Sequence, residues 1–362
     1  MVFMKQTPFN EKHLALHARL ADFAGWEMPL YYGSQIEEHN CVRTDAGMFD
    51  VSHMNIVDIK GSGARDYLRY LITNDVDRLK NIGDALYSCM LNENGGVIDD
   101  LIVYKKTAQD FLMVINAATH DKDMAWLKKQ AQNFKVELIE RVDLAMLAIQ
   151  GPNAITKIHT VFSKEQRRIT QNLKNFQGVE VNSWWIACTG YTGEDGYEIM
   201  LPHAETGKFW DQLIVAGVRP CGLVARDSLR LEAGMRLYGS DMDENTTPIE
   251  AGLSWAVAWE PKDRNFIGRK VLEAQKLAGA KQTTVGLILE DKGILRSHQK
   301  VIVPNMGEGE ITSGGFSPTL GLSIALARVP VGIGAHCLVV IRDKQLQARV
   351  VKPNFVRYGK KV

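Results

Sequence analysis

The stretch LYSCMLNENGGVIDDLIVYK, residues 86–105, decides how the first half of the chain is read. Two runs rich in β-forming side chains, 86–91 and 97–105, flank Asn92-Glu93-Asn94-Gly95-Gly96. Asn and Gly accept positive φ at little cost, so this spacing predicts a tight hairpin. The second run carries Asp99 and Asp100 among Val97, Ile98, Leu101 and Ile102. Side chains alternate across a strand, so Asp100 shares a face with Ile98 and Ile102, and Asp99 with Val97 and Leu101. Both faces are apolar, and alternation does not choose between the two acids. A carboxylate in such surroundings must be hydrogen-bonded or have a raised pKa. A strand-end turn, a structural ion pair and a working acid all stay open for this pair.

Outward from the hairpin, a strand at 55–60 and an amphipathic helix at 64–72 precede it. A strand at 111–116 and a helix from about 121 to 133, with Met124, Leu127 and Ala131 on one face, follow. A second unit begins near Asp143 with a buried strand at 145–150. Gly151-Pro152-Asn153 then makes a turn that places Asn153 as the N-cap of the next helix. Strands at 184–189 and 196–201 are joined by Gly190-Tyr191-Thr192-Gly193-Glu194-Asp195. Helices at 206–216 and 223–233 come next, the second ended by Gly234. Loops at 240–247 and 260–265 precede a last helix, about 269–277, that stops at Gly279. From about residue 280 the texture changes to short β-prone runs at 284–289, 300–303, 338–341 and 348–351. The expected fold class is therefore α+β. It has a body over 1–279 of two interleaved α+β subdomains, one at roughly 54–141, and a C-terminal β-barrel-like domain over 280–362.

The 362 residues correspond to about two to three domains at roughly 150 residues each. Lys and Arg number 43 against 42 Asp and Glu, a net charge of +1. That balance excludes a disordered polyelectrolyte and argues against a nucleic-acid partner. No apolar run reaches the roughly 18 residues of a membrane span, and the longest uncharged stretch, 311–327, is broken by Ser, Thr, Gly and Pro. The opening MVFMKQTPFNEKH lacks the apolar core of a signal peptide. Cys41, Cys89, Cys188, Cys221 and Cys337 are far apart with no C-x-x-C pair. This fits reduced thiols in a cytoplasmic compartment better than a disulfide frame or a zinc site. There is no P-loop, no G-x-S-x-G elbow and no complete dinucleotide fingerprint, since Gly61-Ser62-Gly63 lacks the third glycine. His13 and His17 are one turn apart without H-E-x-x-H, and they read as surface or packing histidines rather than metal ligands.

Two further clusters carry chemistry. In GYTGEDGYEI (190–199), Glu194 and Asp195 read as solvated turn residues, but Glu198 interrupts a packable strand of Tyr197, Ile199 and Leu201. A carboxylate held there can accept two parallel N–H bonds from an amidine-like edge such as a 2-aminopyrimidinone, or it can pair with an arginine of the fold. In ARDSLRLEAG (225–234), Arg226 and Arg230 stand one helical turn apart and need an anion. Asp227, Glu232 and a ligand carboxylate are all available readings.

Taken in order, these clusters resemble the T-protein family of the glycine cleavage system, the aminomethyltransferases. The segments are DFAGWEMPLYY (22–32), DAGMFDVSHM (45–54), NENGGVIDDLIVY (92–104), AIQGP (148–152), GYTGEDGYEI (190–199), ARDSLRLEAG (225–234), YGSDMDENTTP (238–248) and ITSGGFSPTLGLSIALA (311–327). The resemblance implies a three-domain cloverleaf around a central folate-binding channel, with a C-terminal β domain. It implies transfer of a one-carbon unit from an aminomethyl-lipoyl arm of H protein to tetrahydrofolate. Ammonia is released, and the products are 5,10-methylenetetrahydrofolate and dihydrolipoyl H protein. Carried over residue by residue, Asp100 is the catalytic aspartate and Glu198 grips the pterin ring. Tyr87, Tyr104, Asn116, Tyr191 and Trp255 fall at positions lining the folate channel, with core packing the alternative for the aromatic ones. Arg226 contacts the ligand, and Arg230 either does so or is structural. Arg357 takes a folate or H-protein contact, and Lys352, Arg357, Lys360 and Lys361 form a candidate docking end. The implied partners are tetrahydrofolate and lipoylated H protein, with no metal, nucleic acid or membrane. Relatives that use other one-carbon donors share the fold. A folate-binding branch tied to iron–sulfur maintenance carries K-G-C-Y-x-G-Q-E, where this chain has GYTGEDG.

Overall fold

The computed structural model describes residues 4–362; the first three positions of the expected body and of the opening stretch lie outside it. In chain order come α1 (Asn10–Ala15), β1 (Arg19–Phe23), β2 (Trp26–Tyr31), α2 (Gln35–Thr44), β3 (Gly47–Asp50), β4 (Asn55–Lys60) and α3 (Ala64–Leu71). Then follow β5 (Ala85–Leu91), β6 (Val97–Lys105), β7 (Asp110–Ile115), α4 (His120–Ala131), β8 (Glu137–Glu140) and β9 (Leu144–Gln150). Next are α5 (Ala154–Val161), α6 (Lys164–Thr170), β10 (Gly178–Val181), β11 (Trp184–Ala187), β12 (Gly196–Pro202), α7 (His203–Val215), β13 (Arg219–Pro220) and α8 (Leu223–Glu232). Helix α9 (Arg269–Ala278) leads into β14 (Gln282–Leu289), β15 (Lys300–Val303), β16 (Gly307–Ser317), β17 (Leu322–Pro330), β18 (His336–Ile341) and β19 (Lys344–Val351). The short pair β20 (Val356–Arg357) and β21 (Lys360–Lys361) closes the chain's described order.

The described chain forms two compact units. The first takes the residues up to Arg65, Asp77–Leu86 and Ile102–Leu229; the second takes Asp66–Val76, Tyr87–Leu101 and Arg230–Val362. The chain therefore passes from one to the other inside α3, between Val76 and Asp77, and inside β5, β6 and α8.

A six-stranded sheet in the order β10-β11-β12-β9-β3-β13 organises the first unit. All seven residues of β9 are buried, as expected of a strand covered on both faces. Its period of two sorts them. Ala145, Leu147 and Ile149 pack with α5 and α7 through Ala154, Ile158, Phe209, Trp210 and Leu213. Leu144, Met146 and Ala148 pack with Val42 of α2 and Ala225 and Leu229 of α8. A second sheet runs β5-β6-β7-β4-β8, and within the first unit Ile102 lies opposite Val114 and Tyr104 opposite Leu112. Asn153 stands at the N-cap of α5, but its side chain makes no cap bond; its Nδ2 donates to Asp45 Oδ1 at 3.1 Å instead.

The second unit contains a closed barrel, β14-β17-β16-β15-β18-β19, filled by Leu287, Leu289, Val301, Val303, Ile311, Ala325, Ala327 and Val329. Its two longest strands, β16 and β17, are absent from the runs read in the sequence. Their register shifts between Ile311 and Ser313, which breaks the alternation that marks a strand. Beside the barrel, Arg230 Nη1 donates to Asp241 Oδ2 at 3.0 Å and to Ser313 Oγ at 3.1 Å. Glu232 accepts from Thr319 N at 3.0 Å and Thr319 Oγ1 at 2.7 Å.

The hairpin expected at 92–96 is present. Asn92 N donates to Gly96 O at 2.9 Å, and Gly95 sits at φ +83°. Asn92 Oδ1 accepts from the amides of Asn94 and Gly96. Val97 N donates to the carbonyls of Asp243 and Thr246 at 3.0 Å, so the 243–246 loop lies directly against the turn. A Cβ on Gly96 would fall 1.7 Å from Glu244 O. Gly96→Ala should therefore cost about 3 kcal/mol as the loop is pushed away. The urea midpoint should drop at unchanged m-value, and a loss below about 0.5 kcal/mol would contradict the close approach.

Candidate functional site

In the second unit, Asp100 is half-buried on β6 while Asp99 beside it is completely buried. The strand's alternation thus turns Asp99 inward with Val97 and Leu101 and leaves Asp100 on the reachable face. Tyr87 Oη donates to Asp100 Oδ2 at 3.0 Å. The indole of Trp255 stacks on Tyr87 at 5.2 Å and 25°, and Trp255 is 61% exposed. An exposed tryptophan flat against a tyrosine that holds a carboxylate is not core packing.

Buried polar groups fix this arrangement. Asn74 Nδ2 donates to Tyr87 O at 2.9 Å, and Thr73 Oγ1 donates to Ala256 O at 2.9 Å. Arg264 in turn donates to Thr73 O at 2.6 Å, Asn74 O at 2.7 Å and Ala258 O at 3.1 Å. Burial, with Asp100 and Asp99 adding to it, pushes the Cys89 thiol well above its ordinary pKa, so that sulfur stays protonated. Arg230 is buried in the Asp241–Ser313 network. Arg357 is exposed on β20 with its guanidinium 5.6 Å from the Tyr358 ring centre.

In the first unit, Glu198 is buried on β12 on the same face as Met200. Its cross-strand neighbours are Ala148 and Ala187, whose small side chains leave room for a carboxylate. Thr189 Oγ1 donates to Glu198 Oε2 at 2.6 Å and lies 2.9 Å from Tyr104 Oη. Tyr104 is fully buried, with its ring edge against Trp185 at 5.5 Å. Thr189 was not singled out in the sequence; a hydroxyl just before the GYTGEDG turn was the signal for it. Arg226 of α8 lays its guanidinium 4.8 Å over the Tyr191 ring. Its Nη1 is buried and has no hydrogen-bond partner among the described residues. Burial lowers its pKa, and Glu198 opposes that shift. Asn116 follows β7, half-buried, with its carbonyl accepting from Asn55 and Thr119.

The structure corrects one turn residue. Glu194 is not solvated: Arg43 Nη1 donates to its Oε1 at 2.7 Å, and both side chains are almost wholly buried. Of the two histidines, His13 is a packing residue. Its Nε2 lies 2.9 Å from Asp50 Oδ2 and its Nδ1 2.7 Å from Tyr32 Oη. Among the described residues no group of three or more His, Cys, Asp or Glu is placed to hold a metal. A groove of about 670 Å³ along α5 and α7, lined by Thr160, Val161, Lys208 and Val215, carries none of the candidate side chains.

The sequence matches the GCVT N-terminal domain family over residues 9–261 and the glycine cleavage T-protein C-terminal barrel domain over residues 282–357. An aminomethyltransferase of Legionella pneumophila (strain Paris) is 55% identical over 357 residues, 99% of each chain. Among solved structures, the glycine cleavage system aminomethyltransferase T from Bartonella henselae superposes with a TM-score of 0.92 at 35% identity, covering 99% of this chain and 100% of its own.

One buried group near Arg226 titrates in an accessible range. His53 is buried, its Nδ1 has no partner among the described residues, and its ring meets Phe23 edge-on at 5.3 Å. Burial lowers its pKa from 6.5 to about 4; Asp50 opposes the shift and Arg226 adds to it. The unfolded chain binds this proton first, so the neutral ring's contribution is complete above pH 6.5 and is lost as pH falls toward 4. His53→Leu should remove a slope of up to about 1.4 kcal/mol per pH unit from unfolding free energies measured between those limits. Equal slopes in the two proteins would contradict the buried neutral ring.

Proposed function

The chain belongs to the glycine cleavage T-protein family and acts as an aminomethyltransferase; on that premise we propose how its own residues carry the reaction. The one-carbon unit leaves the sulfur of an aminomethyl-lipoyl arm of H protein and joins tetrahydrofolate. The carbon–sulfur and carbon–nitrogen bonds of the aminomethyl group break, and bonds to folate N5 and N10 form. The two protons displaced from those nitrogens end on the ammonia and the lipoyl thiol.

The observation that carries the residue roles is Asp100, held by Tyr87 at 3.0 Å beside an exposed indole. A carboxylate fixed in this way orients a ring nitrogen for attack and stabilises positive charge that develops on the transferred carbon as ammonia departs. Trp255 and Tyr87 supply flat apolar surface against a conjugated ring. In the first unit, Thr189 occupies one oxygen of Glu198 and fixes the plane of the carboxylate, which suits the paired N–H donors of a pterin edge. The unsatisfied Nη1 of Arg226 fits an acceptor on the same class of ligand, with Tyr191 as its platform. Asn116 lines the folate side, and Tyr104 acts through Thr189. The Asp241–Ser313 network supports a structural role for Arg230. Exposed Arg357, with Lys352, Lys360 and Lys361, supports an H-protein contact.

Residues 1–279 form the body and 280–362 the barrel domain in this proposal. A cytoplasmic location is supported by five cysteines that are all free. No described helix is long and apolar enough to cross a membrane.

Steady-state transfer with aminomethylated H protein and tetrahydrofolate tests these roles. Asp100→Asn should lower kcat by roughly a hundred-fold or more with the tetrahydrofolate KM changed only a few-fold. Asp99→Asn should do much less, and equal losses in kcat would mean the pair is wrongly assigned. In the same assay Arg357→Gln should raise the KM for H protein most at low salt, and an unchanged KM removes it from docking.

A further inference from the structure

Arg43 sits in the last turn of α2, is not among the residues given ligand roles, and has a buried guanidinium. Nη1 donates to Thr192 O at 2.6 Å and to Glu194 Oε1 at 2.7 Å; Nη2 donates to Leu229 O at 3.3 Å. One side chain thus ties the 190–195 turn to α8. Those two elements carry the pair in cation–π contact: Tyr191 directly precedes Thr192, and Arg226 lies one turn before Leu229. Other groups hold each element singly. Thr192 Oγ1 donates to Gln150 Oε1 at 2.9 Å, and Gln150 Nε2 donates to Thr189 O at 3.1 Å. From the same helix as Arg43, Glu38 accepts from Gly222 N at 2.8 Å and His39 meets Ser228 Oγ at 2.7 Å, both at α8.

We propose that Arg43 is a positioning residue for the Tyr191–Arg226 pair and so sets folate affinity. The proposal rests on the reading that Tyr191 and Arg226 contact folate. The physical basis is the planar fork. Its N–H donors leave at fixed angles and reach three acceptors on two elements, which a lysine ammonium does not reproduce. A turn freed from α8 lets the Tyr191 ring slide from under Arg226. The buried donor of Arg226 then no longer points to one place.

The test is tetrahydrofolate binding to the full chain by calorimetry, with kcat and melting temperature measured alongside. Arg43→Lys should weaken binding by roughly ten-fold while kcat at saturating folate stays within about two-fold. In an Arg226→Ala background the same change should add less than about a two-fold effect, because the pair it positions is already gone. Full additivity, or a loss confined to kcat, would overturn the proposal, and so would unchanged affinity in Arg43→Lys beside weakened affinity in Arg226→Ala. Unchanged affinity in Arg226→Ala alone would instead defeat the folate-site reading, and the proposal with it. If Arg43→Lys does not fold, Glu194→Gln removes one anchor and leaves the guanidinium. It should weaken binding by roughly three-fold, and no change there overturns the proposal.

Discussion

A buried carboxylate must be given a donor, and this chain meets that constraint repeatedly. Glu198 takes Thr189. Glu38 takes the amides of Tyr32 and Gly222. Burial pushes Asp50 up, but the bonds from His13, Thr7 and Ser52 outweigh it and hold that carboxyl below its ordinary pKa. Glu232 takes Thr319, and Asp241 takes Arg230. Several of these bonds, Glu38 with Gly222, Glu232 with Thr319 and Asp50 with His13, also fix segments distant in sequence, so there polar satisfaction and tertiary placement are the same event. Breaking one partner of such a buried pair typically costs about 3–5 kcal/mol, because the remaining charge is stranded.

Arg226 Nη1 and His53 Nδ1 are two of the groups in the first unit that depart from that pattern. They are buried polar atoms for which no described residue supplies a partner. An unsatisfied donor beside an aromatic platform is costly in the folded chain alone, and a ligand with an acceptor offsets that cost. Asp100 differs from Asp99 in the same way that a reachable group differs from a structural one. Both lie on one strand, and one step of the pleat separates a wholly buried carboxylate from one accessible beside Trp255.

Much of the fold was legible because local patterns were strong. Asn92 to Gly96 announced the hairpin, and the apolar runs of β9 and β12 announced their burial. The change of texture near residue 280 announced the barrel. The strands β16 and β17 were hidden by Gly, Ser and Thr and by the register shift at Ile311 to Ser313. The short elements before β4 were unread because β1 and β2 carry Pro29 and charged residues rather than clean alternation. For the site, residue types and family-like segments picked out Asp100, Glu198 and Arg226. They did not reveal that Tyr104 meets Thr189, or that Glu194 pairs with Arg43. Those pairings depend on where a turn meets a strand or a helix, which no spacing in the sequence encodes.

Transfer of one carbon from an aminomethylated lipoyl arm to tetrahydrofolate is read out by ammonia release from aminomethylated H protein with and without tetrahydrofolate. Release should depend strongly on folate, with 5,10-methylenetetrahydrofolate formed mole for mole. Folate binding without any effect on release would contradict it and point to a different one-carbon donor.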